Sequence, residues 1–75
     1  MRTIPLELMN PGELGTVAEV EGDLDVITRL REMGISEGTQ IEMVQTGEPC
    51  IIGVGNNRLS LRVDQTTLVF VDIDG

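Results

Sequence analysis

Side chains able to do chemistry are scarce in this chain, and the types present narrow the options quickly. There is no histidine among its 75 residues, so neither a Ser-His-Asp nor a Cys-His pair can be assembled, nor a histidine-based zinc site. Gly53-Val54-Gly55 lies between two alternating apolar segments rather than between a strand and a helix, so it is no phosphate cradle. With no nucleophile–base set, the chain does not read as an enzyme. What remains is a run of carboxylates, Glu19, Glu21, Asp23 and Asp25, and one thiol, Cys50. The carboxylates are hard oxygen donors of the kind that hold Mg²⁺ or Ca²⁺, although their spacing is not that of an EF-hand loop. The same four acids also fit a solvated strand face followed by helix-capping residues. Cys50 supplies a single thiolate where zinc needs several ligands, and it can form no disulfide within the chain. A buried free cysteine acts as a small hydrophobe.

Placing those groups requires the elements that carry them. The length suits one domain over residues 1–75, with a modest core and no room for a large enclosed pocket. Phe70 is the lone aromatic, so Ile, Leu, Val and Met must build that core. The net charge is −8, with five arginines and no lysine. Such a surface repels phosphate backbones and anionic lipids, which excludes nucleic acid as a partner and favours basic or mixed-charge protein surfaces, or cations. The N-terminal residues carry no signal-peptide h-region, and no apolar run is long enough to span a bilayer. The chain therefore reads as cytoplasmic, reaching the inner face of a membrane only through a partner.

Ile4 to Leu8 is a short extended segment broken by Pro5, and Asn10-Pro11-Gly12 is a strong turn signal. Leu14 to Glu21 suits a strand, yet Val17 and Val20 are an odd number of residues apart. Either both faces are partly covered or a β-bulge separates them, and the bulge is the favoured reading. Gly22 ends that strand. Asp23 or Asp25 then caps a short helix over about Asp23–Met33, whose apolar stripe includes Val26, Ile27, Leu30 and Met33. Gly34 stands at the C′ position, where positive φ is required, and Ile35 behind it can pack back on the last turn. Gly38 permits the turn into a strand at Thr39–Gln45.

The segments around Asn56-Asn57 alternate as a hairpin does. Taking those asparagines as the loop pairs Val54 with Leu59, Ile52 with Leu61 and Cys50 with Val63, and turns Cys50 into the core. Asp64–Thr67 reads as one 3-10 turn, and Leu68–Ile73 as a final strand. About five short strands and one helix suggest a mostly β fold, a small closed or nearly closed barrel.

So arranged, the chain resembles the FeoA family of ferrous iron transport proteins. The likeness rests on Arg29-Leu30-x-x-Met33-Gly34-Ile35-x-x-Gly38-Thr39-x-Ile41, and covers nearly the whole chain. Asn10-Pro11-Gly12 with Gly15 and Val17 is similar to the family's entry turn and first strand. Gly47-Glu48-Pro49-Cys50 through Leu59-x-Leu61-Arg62 is similar to its central hairpin. The loop before Pro49 is short, and Asp64-Gln65-Thr66-Thr67 replaces the family's usual turn before the last strand. The resemblance implies an SH3-like barrel and an accessory role beside FeoB, a membrane transporter of ferrous iron with a cytosolic GTPase domain. Polyproline capture in the SH3 manner is excluded, since no Trp or Tyr can line the groove. A contact surface is instead expected at the helix end, at Met33, Gly34 and Ile35, methionine being adaptable. The alternative is a metal-responsive domain holding Fe²⁺ weakly through Glu19, Glu21, Asp23 and Asp25.

Overall fold

The computed structural model describes residues 2–73. Six antiparallel strands form one sheet: β1 (Arg2–Pro5), β2 (Leu14–Val20), β3 (Gln40–Gln45), β4 (Cys50–Val54), β5 (Asn57–Leu61) and β6 (Val69–Ile73). Their spatial order is β1-β6-β2-β3-β4-β5, so β1 and β5 are the edges and the sheet does not close into a barrel. Two helices, α1 (Leu24–Glu32) and α2 (Val63–Thr66), and a 3-10 turn at Leu6–Leu8 complete the described residues. The extra strand is β1. Pro5 had marked Ile4–Leu8 as broken, but an edge strand needs hydrogen bonds on one side only and tolerates proline at its end. β1 pairs with β6 from Arg2↔Ile73 to Pro5↔Phe70, and the Thr3 hydroxyl donates to the carboxylate of Asp72 across the pair.

The odd spacing in β2 is resolved by a bulge. Against β6 the register runs Val17↔Val71 and then Glu19↔Phe70, which leaves Ala18 as the extra residue. Val17 is buried and Val20 packs against the same core. One inserted residue thus keeps both valines on the inner face. The entry turn is closed by Glu13 N–H donating to the Asn10 carbonyl, with Pro11 second and Gly12 third at φ 89°. That is the type II arrangement, which needs positive φ at its third residue.

The hairpin keeps its faces but moves its loop. Ile52 pairs with Leu59 and Cys50 with Leu61, so the loop is Gly55-Asn56 and not Asn56-Asn57. Gly55 adopts φ 60°, while among the described residues no non-glycine residue has positive φ. A glycine-first loop of this kind is the type II′ pattern, and it puts the positive φ on the residue with no Cβ to clash. Val63 consequently leaves the sheet. It opens α2, a turn of α-helix where a 3-10 turn had been expected. Cys50 stays inside, as the alternation required.

The core is aliphatic, with Leu6, Leu30, Ile41, Met43, Ile52, Leu61, Val69 and Val71 essentially solvent-free. Each such side chain contributes about 1.5–3 kcal/mol by leaving water. Helix α1 presents Leu30 to this cluster, with Val26 and Met33 packed beside it. Being only nine residues long, α1 depends on that packing.

Candidate functional site

The most tightly specified region is the end of α1. Asp23 is the N-cap, its Oδ1 accepting from Val26 N–H at 3.0 Å, while Asp25 sits in the first turn. At the other end Gly34 N–H donates to Arg31 O at 2.9 Å and Ile35 N–H to Leu30 O at 2.9 Å. With Met33 as C-cap and Gly34 at φ 98°, these two bonds are the Schellman pair. The turn beyond is closed by Thr39 N–H to Ser36 O, and Gly38, at φ 89°, donates to Val17 O. Helix stop and strand start are thereby tied to β2.

This geometry sorts the three expected contact residues. Ile35 is 1% exposed and packs with Leu30, so it is core and offers a partner nothing. Gly34 is exposed, and Met33 is half-buried against the core. The reachable patch is therefore Met33 with Gly34. A Schellman turn folds its C″ residue back on the helix, which is why Ile35 is lost to the surface.

Glu19, Glu21, Asp23 and Asp25 are all exposed. They occupy, in turn, a strand, a link, a cap and a helix turn, and Asp23 spends one oxygen on the helix. Among the described residues, no three His, Cys, Asp or Glu side chains converge so that they could hold a metal ion. Cys50 is buried, and burial pushes its thiol pKa up, with the nearby Glu48 carboxylate adding to the effect. A thiol held protonated is a poor ligand and nucleophile.

A cleft of about 390 Å³ lies between α1 and β5 and was not foreseen from the sequence. Arg29 and Leu30 of α1 line it, together with Ser60 of β5 and Arg62, Asp64 and Leu68 from the segment that follows β5. Two of the five arginines meet here, contributed by positions 33 apart in the chain. Nothing in local spacing joins them. The exposed apolar residues Leu24, Leu8, Leu14 and Val63 lie on separate elements.

Comparison with known proteins agrees with this architecture. A family model described as FeoA domain matches residues 4–73. A crystal structure of an iron uptake regulatory protein, FeoA, superposes with TM-score 0.90 at 29% identity, covering 96% of this chain and 97% of that one. FeoA of Stenotrophomonas maltophilia, solved with zinc and described as a prokaryotic SH3 domain protein, gives 0.79 at 29% identity, with 96% and 91% covered. Iron(II) transport protein A of Clostridium thermocellum gives 0.88 at 26% identity, with 93% of this chain covered but 45% of that one. A manganese-dependent transcriptional repressor shares the fold alone, at 0.88 and 16% identity, this chain spanning 42% of its length. No curated protein sequence matches. The fold is thus the SH3-like one expected, with its sheet left open.

Proposed function

The chain belongs to the FeoA domain family, associated with ferrous iron transport, and from that premise we propose that it is an accessory protein of bacterial ferrous iron uptake. In this reading it works in the cytoplasm, binds the GTPase-bearing part of a FeoB-type membrane transporter, and modulates its transport or assembly. The observation that carries the reading is a family match spanning nearly the whole chain. The S. maltophilia relative, suggested as a ferrous iron transport activating factor, supports it. The site chemistry agrees in kind. The chain has no histidine, and among the described residues no helix is long and apolar enough to cross a membrane; in this reading the protein acts through contact with its partner.

Met33 with Gly34 is the proposed contact patch, a flexible thioether beside bare backbone at a rigid helix end. The test is capture of the transporter's cytosolic domain by the wild-type chain in the GTP-, GDP- and nucleotide-free states, repeated with Met33→Glu. Wild-type capture that Met33→Glu abolishes, with the variant's circular dichroism unchanged, is the expected result. Failure of the wild type in every nucleotide state would overturn the adaptor reading; undiminished capture by Met33→Glu would overturn the patch.

A further inference from the structure

The free edge of β5 faces a cleft that carries most of what an extended peptide needs. In the β4–β5 hairpin, Val54 and Asn57 flank a two-residue loop, and such flanking residues exchange both backbone hydrogen bonds. Alternation then makes Ile52↔Leu59 and Cys50↔Leu61 bonded pairs, and leaves Gly53↔Arg58 and Ile51↔Ser60 unbonded. The N–H and C=O groups of Arg58 and Ser60 therefore point away from β4. β5 ends the strand order, so no further strand receives them. The opposite edge, β1, is blunted by Pro5, whereas β5 contains no proline.

Ser60 lines the cleft, and the charged residues lining it with Ser60 are Arg29, Arg62 and Asp64. The cleft's formal charge is thus +1, from two arginines and one aspartate, on a chain whose total is −8. Among the described residues, neither guanidinium donates a hydrogen bond to another side chain. Leu30 and Leu68 add apolar side chains to the same lining. An edge strand with open hydrogen-bonding groups gives affinity to any extended main chain, and flanking side chains give selectivity. Arginine forks suit carboxylates.

We propose that the cleft between α1 and β5 captures an extended acidic segment of a partner protein. The segment adds to the edge of β5 through Ser60 and Arg58, and places a carboxylate on Arg29 and Arg62. This stands apart from the Met33 patch and holds whichever protein carries the segment.

The probe is a capped peptide of alternating valine and glutamate, titrated into the full chain and followed by ¹H–¹⁵N amide shifts. In the free protein, the amides of Arg58 and Ser60 exchange faster than those of Leu59 and Leu61. Added peptide shifts and protects Arg58 and Ser60. Replacing glutamate by glutamine in the peptide, or combining Arg29→Gln with Arg62→Gln in the protein, weakens binding about tenfold, allowing for solvent screening. Both arginines are exposed, so the variants should fold normally, with the unchanged amide spectrum as the check. Slow exchange at Arg58 and Ser60 in the free monomer overturns the proposal. So does a response confined to another edge, or equal binding of the glutamine peptide. Concentration-dependent dimerisation that protects those two amides also overturns it, by assigning the edge to a second copy.

Discussion

Gly34→Ala is the substitution that most directly tests how the end of α1 is built. Gly34 holds φ 98°. A Cβ built there would meet only Val54 Cγ1, at 3.7 Å, an ordinary van der Waals contact. Space is therefore not the obstacle, and the cost is backbone strain. The left-handed region costs an L-residue about 1–2 kcal/mol. A φ of 98° lies beyond the usual left-handed basin, so the upper part of that range applies. A domain of this length has a total stability of about 4–11 kcal/mol, so the loss is a sizeable share. The upper part of the range, about 1.5–2 kcal/mol, corresponds to a fall in Tm of about 6–16 °C. Gly53→Ala is the internal control: its φ is not positive and its Cβ would find no atom nearer than 3.8 Å. That variant should change stability by less than about 0.5 kcal/mol, as alanine's smaller unfolded-state entropy offsets its weak strand preference. The assay is urea unfolding by circular dichroism, with a lowered midpoint and an unchanged slope for Gly34→Ala. If the two variants unfold together, the Schellman turn is not what holds this end of the helix.

Three further outcomes follow from the same geometry. Ile35→Ala removes a side chain that is 1% exposed, and should cost about 2–5 kcal/mol, read as a midpoint shift far larger than that of Met33→Ala. Cys50 has a folded thiol pKa raised above its ordinary value of 9.0, so above that pH the unfolded chain loses protons that the folded chain keeps. Stability should be intact below pH 9.0 and decline as the pH rises past it. With no Tyr, His or Lys, no other side chain titrates in that window, so Cys50→Ala should flatten the decline in a urea series across alkaline pH. Anaerobic titration calorimetry with Fe²⁺ or Mn²⁺ should show no specific heat, since the four acids at 19, 21, 23 and 25 do not converge; saturable heat lost in Asp23→Asn with Asp25→Asn would refute this.

Features set by neighbours in the chain are legible in the sequence. Gly34 and Gly38 mark the helix stop and turn, the parity of Val17 and Val20 marks the bulge, and Asp23 and Asp25 are the two candidate caps, of which Asp23 takes the position. Where two local solutions competed, the reading slipped. Asn56-Asn57 is a good loop on its own, but Gly55 takes positive φ at lower cost, and the loop moved by one residue. Pro5 argued against a strand without revealing that this strand would be an edge. Ile35 carries two readings in the sequence, packing back on the last turn and joining the contact surface, and its burial keeps only the first. Arg29 and Arg62 meet only through the packing of α1 beside β5, which no spacing encodes. Whether β5 would close on β1 is likewise a property of the whole sheet's twist.

The pairing of Arg2 with Ile73 brings the two ends of the described chain side by side, with their Cα atoms about 4.5–5.5 Å apart. Polypeptide joined at either end would leave from the same corner of the domain, between the strands β1 and β6. Such a unit can be spliced into a longer protein without prying its sheet apart, because an incoming and an outgoing link need no span across it. The same adjacency makes the domain a natural scaffold for circular permutation, with new ends opened at the exposed loop around Gly47.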